Sequence, residues 1–458
     1  MIVYFHIDEL NRDAIVASGL SKICKDNGWI LIYGNRRVKK IIGRLEFLFD
    51  IIILPKPIFI KEYFNTQQLK KIHQKIIILY TENIGIIADD KDPKTVLFGA
   101  LNEEFMSGDK SYIEKVAAFC FWGHQVKNVV TQHFPELKSV SHVIGHPRHD
   151  ISIISKNAKY INDEDKSIGI FTRFHMLNDY QNKSPAENLI SIYNSEQRFS
   201  YKNSTTGDFL KLASRGTDGP GDLFNDAIDF YFTLKIIDLL INQGKRVSIK
   251  IHPRENPMIY QKYFKNHYNQ IKIEEIFTPF THWATKQKVV IGPASTSFYD
   301  CFLLGTLPIC TVNLDPHRNL RIKSGFEENN NVMNYVHKPK SISELLDLVN
   351  SDSATHFDKL ISNYGLHEVL SAETNFPYQS QSLTLMFKIM KNLSKEKVMS
   401  KTNKYEKCLI QNVVYFLYNL QYFFHKIKTV LYSSKGHVNS SNFFLNRKNI
   451  GRIKNMHQ

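Results

Sequence analysis

The sequence predicts an α/β chain of two parallel-sheet domains facing a cleft, followed by a basic, helical C-terminal tail. Three observations predict it. Short runs rich in Ile, Leu and Val alternate with amphipathic stretches, as βαβ units do when helices cover both faces of a parallel sheet. The alternation stops at a polar stretch, SKNAKYINDEDKS (155–167), and then restarts. Most of the net positive charge lies from Lys395 onward.

The first series runs IVYFHI (2–7), a helical pattern over 10–27, WILIYG (29–34), a basic helical pattern through Phe47, DIIILP (50–55) and KIIILY (75–80). The second opens with SIGIFTRF (167–174). An irregular polar segment near 176–222 follows, too long for a turn and read as an insertion or functional loop. A helical pattern from Leu223 to Asn242 then leads into RVSIKIHP (246–253), a helix near 257–267, IKIEE (271–275), VVIGP (289–293), a helix from Ser297, and LPICTVN (307–313). The domains implied are 1–160 and 161–395, with a tail over 396–458. In open α/β sheets ligands bind beyond the carboxyl ends of the strands, so those ends are where chemistry is sought.

A chain of 458 residues with 43% hydrophobic and 22% charged residues has material for two large cores. Its net charge of +15 suits polyanionic partners. From Lys395 onward twelve basic residues face only Glu396 and Glu406, so the body is mildly basic. Five widely spaced cysteines, with no CxxC or Cys/His pattern, fit a reducing compartment and no zinc site. The cytoplasm is the expected location. MIVYFHIDEL meets Asp8 and Glu9 after a very short apolar run and does not read as a signal peptide. The uncharged stretch from Cys408 to Phe424 is shorter than the roughly 20 apolar residues of a spanning helix.

One second-half strand ends in Lys250-Ile251-His252-Pro253-Arg254-Glu255, which gathers cationic and hydrogen-bonding groups suited to a phosphate. A strand stopped by Pro253 with solvated basic neighbours explains the same residues without a ligand. The next long strand runs through Gly292-Pro293-Ala294 into Ser295-Thr296-Ser297 and a helix. Hydroxyls at a helix N-terminus make an anion site, or simply cap the helix. In the first half, KIIILY ends in Thr81-Glu82-Asn83-Ile84-Gly85, where Glu82 is a candidate general base or a surface carboxylate. Asp8, Glu9, Glu103 and Glu104 are the other acids in view. Phe121-Trp122-Gly123-His124 and Gly145-His146-Pro147-Arg148-His149-Asp150 close the first half. Trp122 reads as structural; Arg148 and Asp150 suit an ion pair as well as a ligand. Gly145, Arg148 and Arg173 are candidate cleft contacts. Neither HExxH, GxxxxGK[ST] nor GxGxxG occurs, so no metal is expected and nucleotide hydrolases and dehydrogenases are disfavoured.

Taken in order, Tyr80–Gly85, Trp122-Gly123, Gly145–Asp150, Lys250–Glu255 and Gly292–Ser297 resemble the surface carbohydrate biosynthesis proteins of bacteria over about residues 1 to 350. These look like GT-B glycosyltransferases, with two Rossmann-like domains, related to sialyltransferases, transferases of 3-deoxy-octulosonic acid and CDP-glycerol glycerophosphotransferases. The resemblance implies donor-phosphate binding by His252, Pro253, Ser295, Thr296 and Ser297, with Lys250 and Arg254 beside them. It also implies a base in an acidic-acidic-Gly motif, whose counterpart here, Glu82 to Gly85, has one acid and an extra residue before the glycine. A metal-independent, inverting transferase follows, acting in capsule or lipopolysaccharide synthesis. Its donor would be a nucleotide-activated sugar, such as a CMP-linked acidic sugar, and its acceptor a glycan or lipid-linked glycan. A CDP-glycerol or polyol-phosphate transferase is the alternative within the fold.

The tail combines YEKCLIQNVVYFLYNLQYFFHKIKTVLY (405–432) with flanking lysines, a pattern suited to a helix lying on an anionic membrane surface. A docked helix with a solvated basic end is the plainer alternative. A protein that binds membranes or polyanions without catalysis is the rival of another class; nucleic acid is not an expected partner, because two α/β halves exceed what such binding needs.

Overall fold

A computed structural model of the chain describes residues 1–8, 10–35, 39–64, 75–80, 110–150, 166–190, 219–267, 269–276, 278–314, 331–374 and 381–395. Glu9, Glu82, Glu103, Glu104 and the tail from 396 lie outside the described residues.

Sheet one holds β1 (Ile2–His6), β2 (Ile30–Gly34), β3 (Ile51–Leu54), β4 (Lys75–Leu79), β5 (Val116–Phe121) and β6 (Ser141–Val143), all parallel, in the order β2-β1-β3-β4-β5-β6. Its inner strands are continuous apolar runs because both faces are covered. Tyr4, Ile52, Ile76 and Ile78 face one core. Val3, Phe5, Ile53 and Leu79 face the other, against Val16 and Leu20 of the helix Leu10–Asp26.

Sheet two holds β7 (Ser167–Phe171), β8 (Val247–Lys250), β9 (Ile271–Ile273), β10 (Gln287–Gly292) and β11 (Leu307–Cys310), again all parallel, in the order β11-β10-β7-β8-β9. The helix Gly219–Asn242 begins four residues before its sequence pattern suggested. It buries Ile236, Ile237, Leu240 and Ile241 against β7 and β8. From β7 the chain adds strands outward on one side through β9, then crosses to β10 on the other. The order reverses between β7 and β10, which opens a crevice there at the carboxyl ends.

The carboxyl ends of the two sheets meet. Trp122, just past β5, is packed in a core of second-domain residues that includes Phe171, Trp283 and Phe298. Gly123 follows. A Cβ at this position would collide with the carbonyl of Ala372, so only glycine lets the helix Tyr364–Thr374 approach the start of the helix His124–His133 this closely. Glu373 is buried in that contact, and burial pushes its carboxyl up to about 8. Beyond β6, Gly145 takes a left-handed φ of 76° and turns the chain into His146–Asp150. Arg148 then places Nη2 at 3.1 Å from both carboxylate oxygens of Asp300, on the second-domain helix Ser297–Leu304. His149 donates from Nε2 to the same carboxylate at 2.7 Å.

The last described helix, Ser382–Lys395, corrects the expected division at 161–395. Its Leu383, Met386 and Met390 are buried on sheet one, and the Leu383 N–H donates to Asp150 at 2.7 Å. The apolar stripe on this helix is buried in the first core, beside Val3, Phe5 and Ile77.

Burial alone would raise the Asp300 carboxyl, but Arg148 and His149 hold it below its usual range. Removing one partner from such a buried group leaves uncompensated charge. Asp300→Ala is therefore expected to lower the unfolding free energy by about 3–5 kcal/mol in urea titrations; a loss under about 1 kcal/mol would show that the pair is not what holds the domains.

Candidate donor-phosphate site

Three strand ends build the site. β8 ends at Lys250 and continues through Ile251 into His252-Pro253-Arg254. β10 ends at Gly292 and turns through Ser295-Thr296-Ser297 into a helix. The two strands are not adjacent in the sheet. Instead β7 lies between them, and its own extension contributes Arg173 and His175.

Backbone pairing fixes the β7 and β8 loops together. The Tyr180 N–H donates to the Arg254 carbonyl at 3.0 Å, and the Asn256 N–H to the Asn178 carbonyl at 3.1 Å. Beneath them Glu255, fully buried, accepts from the Thr172 hydroxyl at 2.9 Å, the Phe174 N–H at 2.9 Å and the Tyr260 hydroxyl at 2.6 Å. The Thr172 hydroxyl in turn accepts from the His252 N–H at 3.2 Å. Burial pushes the Glu255 carboxyl up to about 7, against the pull of those donors. The result is a rigid floor under His252.

The His252 ring is oriented by its own loop. The Arg254 N–H donates to Nδ1 at 3.2 Å, so the neutral ring carries its proton on Nε2. Burial, then His175, Arg254, Arg173 and Lys250, push its pKa down to about 3. His175 lies with its ring centroid 5.8 Å away, and burial with the nearby Arg173 and Arg254 lowers it to about 4. Both imidazoles are neutral at pH 7, beside two exposed guanidinium groups. Arg173 reaches across the crevice and donates to the Ala294 carbonyl at 3.1 Å, tying the β7 end to the β10 turn.

In that turn the Ser297 N–H donates to the Ser295 hydroxyl at 3.2 Å. Thr296 occupies the N-cap position without a side-chain capping bond, so the plain capping reading holds for Ser295 and not for Thr296. All three hydroxyl residues are partly exposed at the helix start.

Lys250 departs from its expected place. Its ammonium is buried and donates to the carbonyls of Glu275 and Ile276, each at 3.0 Å, on the side of β9. Burial lowers it to about 8. Pro253 is exposed at the loop tip. Gly145 and Arg148 belong to the domain contact, where the Arg148 guanidinium also lies 5.0 Å from the Trp122 ring. Among the described residues no group of three His, Cys, Asp or Glu side chains is arranged to hold a metal ion, and no helix is long and apolar enough to cross a membrane.

Two groups escaped the sequence reading. His175 stood between the strand read over 167–174 and the segment taken for an irregular loop from 176, and only the strand order brings it beside His252. In sheet one the order reverses between β1 and β3, and a small crevice there is lined by Phe5, His6, Asp13 and Leu54. His6 bonds through Nδ1 to the Tyr63 hydroxyl, which meets the Tyr4 hydroxyl at 2.8 Å. A lone histidine inside an apolar strand gives no sequence signal of this kind.

No protein-family model matches the sequence, and no curated protein does. Solved structures do. A histidine variant of the wall teichoic acid polymerase TagF superposes with a TM-score of 0.51 at 11% identity, covering 87% of this chain and 90% of that one. The fold is GT-B. TagF itself gives 0.50 at 10% identity, over 86% and 89% of the two chains. A putative UDP-N-acetylglucosamine 2-epimerase from Listeria monocytogenes superposes more loosely, at 0.48 and 11% identity, over 88% and 99%. In this GT-B chain the cluster described above occupies the reversal point of the second domain.

The two imidazoles should not titrate in the neutral range. Carbon-13 histidine spectra are expected to show His175 and His252 shifts flat from about pH 5.5 to 8, since both groups ionise well below that range. A midpoint near 6.5 for either would mean a solvated ring and an open site.

Proposed function

We propose that the chain is a GT-B transferase of bacterial surface-glycan synthesis that moves a sugar from a nucleotide-activated donor to a hydroxyl acceptor. One observation carries this reading: His175, His252, Arg173, Arg254 and the Ser295–Ser297 helix start gather at the carboxyl ends of the second sheet, at its β7/β10 reversal. Fixed donors of this kind stabilise an anion as it forms, without reorganising.

In the proposed reaction the acceptor oxygen attacks the carbon that carries the donor phosphate. The carbon–oxygen bond to phosphate breaks and its electron pair leaves with the phosphate oxygen. The Nε2–H of His252, the two arginines and the helix start receive the growing charge. Glu82, assigned by the resemblance, takes the acceptor proton, and the carbon inverts. No step requires a metal, because the cationic groups are the protein's own. A CMP-linked acidic sugar is the donor favoured by the motif resemblance. A CDP-linked polyol phosphate is the second reading, favoured by the likeness to a wall teichoic acid polymerase. Thermal-shift measurements with CMP, CDP and UDP separate them, since a ligand that binds the folded state raises its apparent stability.

His252→Ala should lower turnover by about 10²–10³-fold, the cost of one lost oxyanion donor, while leaving the melting temperature nearly unchanged. Near-wild-type transfer by that variant would refute the assignment. The tail from 396 is proposed to rest on the anionic inner face of the cytoplasmic membrane, close to a lipid-linked acceptor. Deleting residues 400–458 should abolish sedimentation with anionic vesicles; undiminished binding would exclude the tail as the contact.

A further inference from the structure

His175 has the features of a ligand-binding residue in its own right. Its Nδ1 is enclosed and has no hydrogen-bond partner among the described residues, whereas Nε2 is neither bonded nor enclosed. His252 differs at Nδ1, which accepts from the Arg254 N–H, but its Nε2 is likewise left accessible. The two rings lie 5.8 Å apart and are inclined by only 31°. Two loops zipped by backbone hydrogen bonds therefore hold a pair of imidazoles, each with one accessible nitrogen. The groups around the pair are mostly cationic. Arg173 precedes His175 on the β7 extension, and Arg254 and Lys250 flank His252 on β8. Asp179 is the carboxylate that acts on His175. The helix Gly219–Asn242 presents Asp226, which is engaged by the Met176 N–H at 3.2 Å, and Glu255 lies below, engaged by Thr172, Phe174 and Tyr260. Asn188 meets this loop through the carbonyls of His175 and Met176.

Such a pair is poorly matched to its cationic surroundings until an anion arrives. Building on the donor site proposed above, we propose that His175 is a second phosphate-binding residue, and that the His175–His252 pair receives the leaving phosphate as a dianion, taking up one proton from water. The charge change of the reaction favours this arrangement. In a nucleotide-activated donor the phosphate next to the transferred group is a diester with one negative charge. Once the carbon–oxygen bond breaks, the same phosphate is a monoester that carries two at neutral pH. A proton taken up by His175, beside the Nε2–H of His252, therefore holds the leaving group more tightly than the intact donor, the differential binding that lowers a barrier. Before the anion enters, burial and the arginines keep both rings uncharged.

Calorimetric titration of the full-length protein with CMP, CDP and UDP, from pH 7 to 8.5 in two buffers of different ionisation enthalpy, tests this. In that range, with a second phosphate pKa of about 6, the nucleotides are about nine-tenths ionised or more, so they contribute little to the proton count. The wild-type protein should take up about one proton per nucleotide bound, and its affinity should fall by up to about tenfold per pH unit. His175→Asn should lose both the proton uptake and the slope, and should bind more than about tenfold more weakly at pH 7, with an unchanged melting temperature in the absence of nucleotide. Equal affinity and proton count in the variant would overturn the role of His175 and leave the donor site standing. Binding by the wild type without proton uptake would overturn it too, whether or not the variant folds. Failure of all three nucleotides to bind the wild type would sink the donor site itself, and this proposal with it.

Discussion

A buried carboxylate holds the two halves of this protein in register. Asp300 sits in the first turn of the helix that begins at Ser297, and it is held from the other domain by Arg148 and His149. Only Phe298 and Tyr299 separate the clamp from the hydroxyl turn of the candidate site. Displacing Asp300 would therefore move the start of that helix, and with it one wall of the crevice beside Arg173. A charge taken out of water is tolerated only with its partners in place, so the contact specifies one arrangement of the domains. Around it, Trp122 and the close approach at Gly123 supply apolar burial without directional preference.

The tripeptide His-Pro-Arg occurs at a strand end in each domain, with the same local geometry and different fates. In both copies the arginine N–H donates to the histidine Nδ1, at 3.0 Å for His146 and 3.2 Å for His252. His146 is fully buried against Trp122, with ring centroids 4.3 Å apart, and its arginine crosses to Asp300. His252 is only partly buried and its arginine is exposed beside a second histidine. The turn itself sets the tautomer; what lies above it decides whether the ring becomes part of a core or meets a ligand.

The positive charge of the site comes from its arginines, while the imidazoles stay neutral. Burial strips water from the rings and two nearby guanidinium groups oppose a further charge, so both rings are neutral at pH 7. Glu255 complements this from below. Itself part of the β8 loop, it accepts from Thr172 and Phe174 of the β7 loop and from Tyr260, which keeps His252 in place without adding a charge where the ligand would sit.

By itself the sequence determined the two parallel sheets, because strands buried on both faces must be apolar where they are buried, as at Ile51–Leu54 and from Ile76 to Leu79. It also marked His252 and Ser295–Ser297, since polar groups stood out where apolar runs stopped. The helices after residue 340 went unread, although Ser341 and Glu344 have the spacing of a helix cap and the Glu344 N–H does bond to the Ser341 hydroxyl at 3.2 Å. Strand order was beyond the sequence, because parallel connections of similar length permit several orders. Tertiary structure alone placed β7 between β8 and β10, brought His175 to His252, turned Lys250 away, and returned the helix Ser382–Lys395 to the first domain. Each of these depends on contacts between residues far apart in the chain, which local periodicity does not encode.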